Sequence, residues 1–404
     1  MRSWLIGICL VATSLAAHAQ SRMSSAELSY QYNLQNEFLM SHKLASQASE
    51  YKLFLHFSLN SGNVKISDFE IKYDLRSDYM DERDVNSSIQ IDSTNVIDVA
   101  FREFVFEVPF SVENNETIMV VDVYNIQKDK HYYYDIPLKI GETAPASFLV
   151  YQAEKDIPLF QKYLNKGIPV RFKNVFGQES NYQISGMENN RAFPAPPFDE
   201  AERGAPLRIS IDTLFGANEN EVFTFHNQGF YKISASNNTE AVVPLLVMDN
   251  FYPYYEDYSE LVKPLVFLST NEEFTSLRAD SDTRAAFELF VQNTISSNEK
   301  MAKDFIKYYY RRLRKSAWLF SSDREGWKTD RGMVYQIFGD PIQVFRNENT
   351  ELWVYSSAKG GKMRFVFELT IEDGLRKYKL LRGKRYREDW MTAVTQWRAG
   401  RIIE

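Results

Sequence analysis

Metal chemistry needs His, Cys, Asp or Glu side chains at ligand spacing, and this sequence scatters them. His42, His56, His131 and His226 stand far apart, with no H-x-x-x-H arrangement, so each reads as a structural or surface residue and no metal is expected. Asp280-Ser281-Asp282 opens like a calcium loop, but position 6 is not glycine and position 12 is Val291 where glutamate is required; Asp282 reads as a helix cap. The single cysteine is Cys9, and neither a G-x-S-x-G elbow nor a phosphate-cradling glycine loop is present, which removes the common nucleophile arrangements. Paired carboxylates can meet only through folding. Asp330 is the best-placed acid, yet helix capping accounts for it, and Trp327 reads as a core or interface aromatic. Tyr252, Tyr254, Tyr255 and Tyr258 lie in one loop. Their apolar faces and polar tips suit contact with a partner or glycan, with domain packing as the default reading. No cofactor and no enzymatic activity are expected.

The elements that must position these residues follow a leader. Arg2, the apolar run Trp4 to Leu15 and Ala17-His18-Ala19 compose a secretory signal peptide over residues 1–19, cut after Ala19. Its apolar run is shorter than the roughly 20 residues that span a bilayer. Cys9 follows Ile6-Gly7-Ile8, which is no lipidation signal, and cleavage leaves the mature chain without cysteine. An exported chain without disulfides must rely on its core. The 44% hydrophobic and 15% aromatic content supplies one. About 385 mature residues imply two to four domains. No later apolar run spans a membrane, so an integral membrane protein is not expected.

An N-terminal segment, residues 20–50, has an irregular or mildly helical look. In Tyr51 to Leu59, Leu53, Leu55, Phe57 and Leu59 then alternate with polar residues, the period of a half-buried strand. Similar runs at 64–75, 96–110, 117–126 and 132–140 predict an antiparallel, immunoglobulin-like β-sandwich over 51–141. A second set, at 147–152, 169–176, 181–187, 207–215, 221–236 and 241–249, predicts another sandwich over 147–250. The Pro-rich stretch Phe193 to Pro197 reads as a loop within it. The period then changes. Thr270-Asn271-Glu272-Glu273 and Ser296-Ser297-Asn298-Glu299 are capping-box patterns, and helices are expected over 256–278, 282–294 and 297–318. This helical segment, 255–320, leads into an α+β domain over 321–404, so the fold class is mixed and mainly β.

The last domain opens with Gly326-Trp327-Lys328-Thr329-Asp330-Arg331-Gly332 and continues to Phe338-Gly339-Asp340-Pro341. Thr329 or Asp330 can cap a short helix, which Gly339 ends and Pro341 forbids to continue. Strands follow at 342–346, 351–357, 362–370 and 375–381, then a helix holding Trp390 and Trp397. The run from Gly326 to Asp330, with Gly339, Pro341, Trp353 and Tyr355, resembles the signature of GWxTD-domain proteins, over about residues 255–404. Asp340 stands where many relatives have a second proline. The resemblance implies an exported, cell-envelope protein of a kind met chiefly in Bacteroidota, and brings no catalytic activity with it. The helix, Gly-x-Pro stop and Trp-x-Tyr strand are also similar to small lipoproteins that assist outer-membrane assembly, an argument from fold alone.

Charge is uneven along the chain. Loss of Arg2 with the leader leaves 46 Lys and Arg against 54 Asp and Glu, a mature charge of −8. From Glu299 onward 23 Lys and Arg face 14 Asp and Glu, so this part carries +9 and the rest −17. Acidic and basic domains that attract one another explain this. A basic surface meeting an acidic membrane, glycan or partner is the sharper alternative. Nucleic acid is not expected as a partner of an exported chain. The sequence therefore points to a non-enzymatic binding or assembly component of the envelope, in the periplasm or at the outer-membrane periphery, that contacts an envelope protein. A carbohydrate-binding or glycan-hydrolysing protein is the alternative.

Overall fold

The computed structural model of the chain describes residues 22–82, 87–113, 115–187, 193–199, 213–357, 359–372 and 374–401; residues 1–19, read as a leader, and the part of the expected strand at 207–215 before Thr213 lie outside them. Strands β1 (Phe38–Gln47), β2 (Glu50–Leu59), β3 (Phe69–Arg76), β4 (Ile89–Ile91), β5 (Val96–Ala100), β6 (Glu103–Ser111), β7 (Ile118–Asn125) and β8 (Lys130–Pro137) form the first sandwich. Its sheets run β1-β2-β6-β5 and β4-β3-β7-β8, all antiparallel. Leu53, Leu55, Phe57 and Leu59 point into its core. The strand expected over 96–110 is a hairpin, because Arg102 takes a φ of 60° and turns the chain between Ala100 and Glu103.

The second sandwich holds β9 (Phe148–Gln152), β10 (Ile157–Pro158), β11 (Leu164–Asn165), β12 (Pro169–Asn174), β13 (Asn181–Met187), β14 (Thr213–Asn218), β15 (Val222–Thr224), β16 (Gly229–Ala235) and β17 (Asn238–Met248). They are ordered β10-β9-β12-β15 and β11-β17-β16-β13-β14. The two sandwiches are welded face to face. Ala45, Phe54 and Val105 pack on Leu149, Tyr151, Ile157 and Phe160, and the His56 ring stacks on Phe160 at 5.1 Å.

Helices α1 (Tyr258–Leu261), α2 (Asn271–Ala279), α3 (Thr283–Phe290) and α4 (Glu299–Phe320) come next. The helix expected over 256–278 is broken, since Pro264 offers no N–H and Thr270 opens a new helix through its capping box with Glu273. Asp282 caps α3, and Asn298, rather than Ser296, caps α4. A 3-10 turn at Gly326–Lys328 leads to α5 (Asp330–Phe338). The sheet β18 (Gln343–Arg346), β19 (Thr350–Ser356), β20 (Lys362–Glu372) and β21 (Leu375–Leu380) follows in chain order, and α6 (Arg387–Arg398) closes the domain.

The segment read as irregular, 20–50, is a correction on two counts. Its second half is strand β1, whose edge position leaves His42 and Lys43 on a strand without clean alternation. Its first half is a strap. Leu28 donates its N–H to the Val344 carbonyl at 2.8 Å, Glu27 accepts from the Val344 N–H, and the Tyr30 hydroxyl donates to the Tyr133 carbonyl. Met23, Leu28 and Tyr32 thereby share one core with Tyr133 of the first sandwich and with α4, α5 and β19. Leu28→Ala is expected to cost about 2–5 kcal/mol. Every tryptophan after Trp4 lies within 318–397, so the loss must appear in the tryptophan-fluorescence unfolding transition. An unchanged transition there would show that the strap does not belong to the C-terminal core.

Candidate functional site

Glu351 lies on the inward face of β19 beside Trp353 and Tyr355 and is 0% exposed. A buried carboxylate is costly unless paired and hydrogen-bonded. Here Tyr32 donates its hydroxyl to it at 2.8 Å, Arg346 donates at 2.6 Å, Trp353 donates its indole N–H at 2.7 Å and Arg331 approaches to 3.3 Å. Arg346 also pairs with Asp135 of β8, which accepts from the Tyr79 hydroxyl. Burial pushes the Glu351 carboxyl up, but the guanidinium groups of Arg346 and Arg331 overcome that and hold it down to about 2.

The sign of the pH dependence follows. A folded-state pKa below the ordinary 4.5 makes this stabilisation fully present above pH 4.5 and progressively lost as pH falls toward 2. Glu351→Gln is expected to cost about 3–5 kcal/mol at neutral pH by leaving two buried guanidinium groups short of a counter-charge. Its denaturant midpoint must also vary less than that of the natural chain across the acid range. Parallel acid profiles for the two proteins would reject the assignment.

Motif residues cluster behind this network. A Cβ on Gly326 would stand 2.0 Å from the Ser316 carbonyl oxygen, and one on Gly332 would stand 1.8 Å from the Gly326 carbonyl oxygen. Only hydrogen at both positions lets α5 and the 3-10 turn lie against α4. Trp327 is 1% exposed, donates its indole N–H to the Tyr255 hydroxyl at 3.0 Å and stacks on Phe193 at 5.4 Å. Thr329 is the helix cap, accepting from the Gly332 N–H at 3.0 Å and donating to the Gly326 carbonyl. Asp330 does not cap. It accepts from the Leu380 N–H at 2.8 Å and pairs with Arg382 through both carboxylate oxygens, tying α5 to β21. Gly339 ends α5 at a φ of 83°, Pro341 is buried after it, and the Tyr355 hydroxyl donates to the Gly339 carbonyl. Asp340 accepts from the Tyr335 hydroxyl.

The tyrosine loop does not form a platform. Tyr252 is buried and its hydroxyl shares Ser321 and the Gly326 N–H, while Tyr255 serves Trp327. Tyr258 packs edge-on to Phe287. Tyr254 alone of the four has an open ring, 64% exposed, with Arg314 over it at 5.2 Å. Trp327→Ala is expected to cost about 3–5 kcal/mol and Gly332→Ala at least as much, read by circular dichroism under denaturant. Gly332→Ala with natural stability would mean that the close approach of α5 to α4 is not required.

Thr329, Asp330 and Arg331 open onto a cavity of about 1160 Å³ that all three domains wall. Sandwich one contributes β1 and β8, sandwich two contributes residues 157–163 and β17, and the C-terminal domain contributes 318–324, α5 and β21. Eleven Lys and Arg line it against five Asp and Glu. Trp327, Gly326, Gly332, Gly339, Pro341, Trp353, Tyr355 and the four loop tyrosines are not in its wall. His42 is the one predicted histidine with a strongly displaced proton: burial, then Lys43, lowers it to about 4. Among the described residues no group of His, Cys, Asp and Glu is arranged to hold a metal, and no helix is long and apolar enough to cross a membrane.

Comparison with known proteins bears on the same region. Residues 229–399 match the family model described as GWxTD domain. This part of the chain is a GWxTD domain. The matched span begins at β16, so the family unit takes in the last two strands of the second sandwich, and β17 is one wall of the cavity. No curated protein matches. A structure of titin Ig tandem domains A164-A165 aligns over 53% of this chain and 97% of its own at 11% identity and a TM-score of 0.16, a likeness too slight to carry an argument. The two Ig-like sandwiches are evident from their own sheet order.

Proposed function

We propose that this GWxTD-domain protein is an exported, non-enzymatic binding component of the cell envelope, whose working site is the central cavity. The observation that carries the reading is the shared wall: residues from both sandwiches and the GWxTD domain line one partly open space of about 1160 Å³. Ligand sites sit preferentially at domain interfaces. Burial of Glu351 and the Arg346–Asp135 pair lock those walls together, which suits capture better than a hinged catalytic cleft. Location in the envelope rests on the leader residues Arg2 to Ala19. Its partner is taken to be another envelope component rather than nucleic acid. The carbohydrate reading draws no support from the tyrosine loop, three of whose four rings are engaged in packing or hydrogen bonds.

A photo-reactive residue at Gln161, which is exposed on the cavity wall, is expected to capture an envelope component in cells. The same residue at Phe101, 83% exposed and outside that wall, is not. Equal capture at both positions, or recovery of the chain outside the envelope fraction, would sink this reading.

A further inference from the structure

Six cationic or titratable side chains converge on the cavity from three domains: His42 and Lys43 of β1, Lys162 of the second sandwich, and Arg331, Arg346 and Arg376 of the GWxTD domain. They lie close enough to feel one another. The charges that act on His42 come from Lys43, Asp135, Lys162 and Arg376, and those on Lys162 from Arg331, Lys43, Arg346 and Glu351. Glu351 and Asp135 are the two carboxylates in this circle, and Arg331 and Arg346 already engage them. Arg376 reaches the Tyr79 hydroxyl. Lys162 donates to the Leu319 carbonyl at 2.6 Å, a neutral partner. Lys43 has no hydrogen-bond or ion-pair partner among the described residues. With both lysines protonated, five cations face two carboxylates here, a surplus of three positive charges on this part of the wall.

Folding alone gives no reason for such a surplus. Like charges gathered on one wall repel, and removing a lysine from bulk water penalises its charged form. Burial, followed for Lys162 by the charges of Arg331, Lys43 and Arg346, lowers Lys43 to about 8 and Lys162 to about 7. His42 and Lys162 are exposed and Lys43 is half-buried, and all three line the cavity. Strain of this kind is retained where function needs it.

We infer that the cavity is the binding site for a small oxyanionic ligand, one carrying carboxylate or phosphoryl-like oxygens, with Lys43, Lys162 and Arg376 as its free or weakly engaged donors and Arg331 and Arg346 as the fixed positive background. Proximity favours a compact anion over an extended acidic peptide, since Lys43, Arg331 and Arg346 all act on Lys162 instead of being strung out beyond one another's reach. Tyr378, over which Arg331 sits at 4.0 Å, and Phe160 supply the apolar part of the lining. This inference rests on the reading that the cavity is the working site, but its test needs no envelope partner.

The purified mature chain is titrated at constant ionic strength with sulfate, whose charge is the same at every pH used, and in a second arm with malonate. Binding is followed calorimetrically and by thermal unfolding. Saturable binding of at least one anion is expected, and which arm is tighter separates sulfuryl or phosphoryl from carboxylate ligands. Lys43→Met and Lys162→Met are each expected to weaken it by roughly ten- to a hundredfold, the worth of a hydrogen bond to a charged group. In chloride alone both variants should unfold at or above the temperature of the natural chain, because each removes a repelled cation. Sulfate affinity should also fall from about pH 6 to about pH 9 as Lys162 gives up its proton. Undiminished binding by both variants, variants that melt lower in chloride, or binding of an oligoglutamate peptide without either small anion would each overturn the inference. Capture at Gln161 with no anion binding would remove this inference while leaving the binding role standing.

Discussion

A carboxylate cut off from water stays ionised only if the protein surrounds it with positive charge and donors. At Glu351 those groups come from separate pieces of chain: Tyr32 from the N-terminal strap, Arg331 from the first turn of α5, and Arg346 from β18. Arg346 reaches on to Asp135 in the first sandwich. One buried charge therefore sets where the strap, the GWxTD domain and the sandwich stand relative to one another. Its contribution lies in fixing that arrangement more than in net stability, since an apolar cluster of the same shape could be as stable. The Tyr32, Phe320 and Trp353 rings around it supply the apolar burial, with centroids 5.0–5.7 Å apart.

The opposite charges of the two parts of the chain take on a specific meaning in this arrangement. Attraction between domains uses little of the asymmetry, chiefly Arg346 with Asp135. Eight of the eleven Lys and Arg in the cavity wall belong to the GWxTD domain, and several are neutralised locally, Arg382 by Asp330 and Lys377 by Asp323 and Glu372. Much of the remainder, including Lys303, Lys307, Arg311, Arg364 and Arg385, is exposed outside the cavity wall, where solvent screens it. Arg331, Arg346 and Arg376 instead line the cavity, where a less polarizable surrounding makes each charge act over a longer range.

Much of the fold could be read from the sequence because periodicity and turn chemistry are local. The alternation of Leu53, Leu55, Phe57 and Leu59, the capping box at Thr270 and Glu273, and the stop at Gly339 and Pro341 all act within a few residues. The site was less legible because it is made of long-range pairs. Asp330 looked like a cap, and only the fold shows Arg382 and the Leu380 N–H waiting 50 residues later. Strand β1 was missed because its edge position and cavity-facing His42 and Lys43 break the apolar alternation that marks a strand. One signal was available. Glu351 occupies the same face as Trp353 and Tyr355 in an alternating strand, and a carboxylate at an inward position announces a buried partner.

The signature itself joins the core to the cavity within a single turn. Gly326 and Gly332 bring α5 against α4, and Trp327 anchors the turn to Tyr255 and Phe193. With the backbone so placed, Thr329 starts the helix, and the next two side chains, Asp330 and Arg331, leave it toward the cavity. Asp330 is spent on holding β21, the strand that carries Arg376 and Tyr378, and Arg331 on neutralising Glu351 while lying over Tyr378. Small residues in such a motif act through distance and its charged residues through direction. A change at Gly332, which touches nothing in the cavity, would displace Arg331, and with it both the weld at Glu351 and the positive wall of the site.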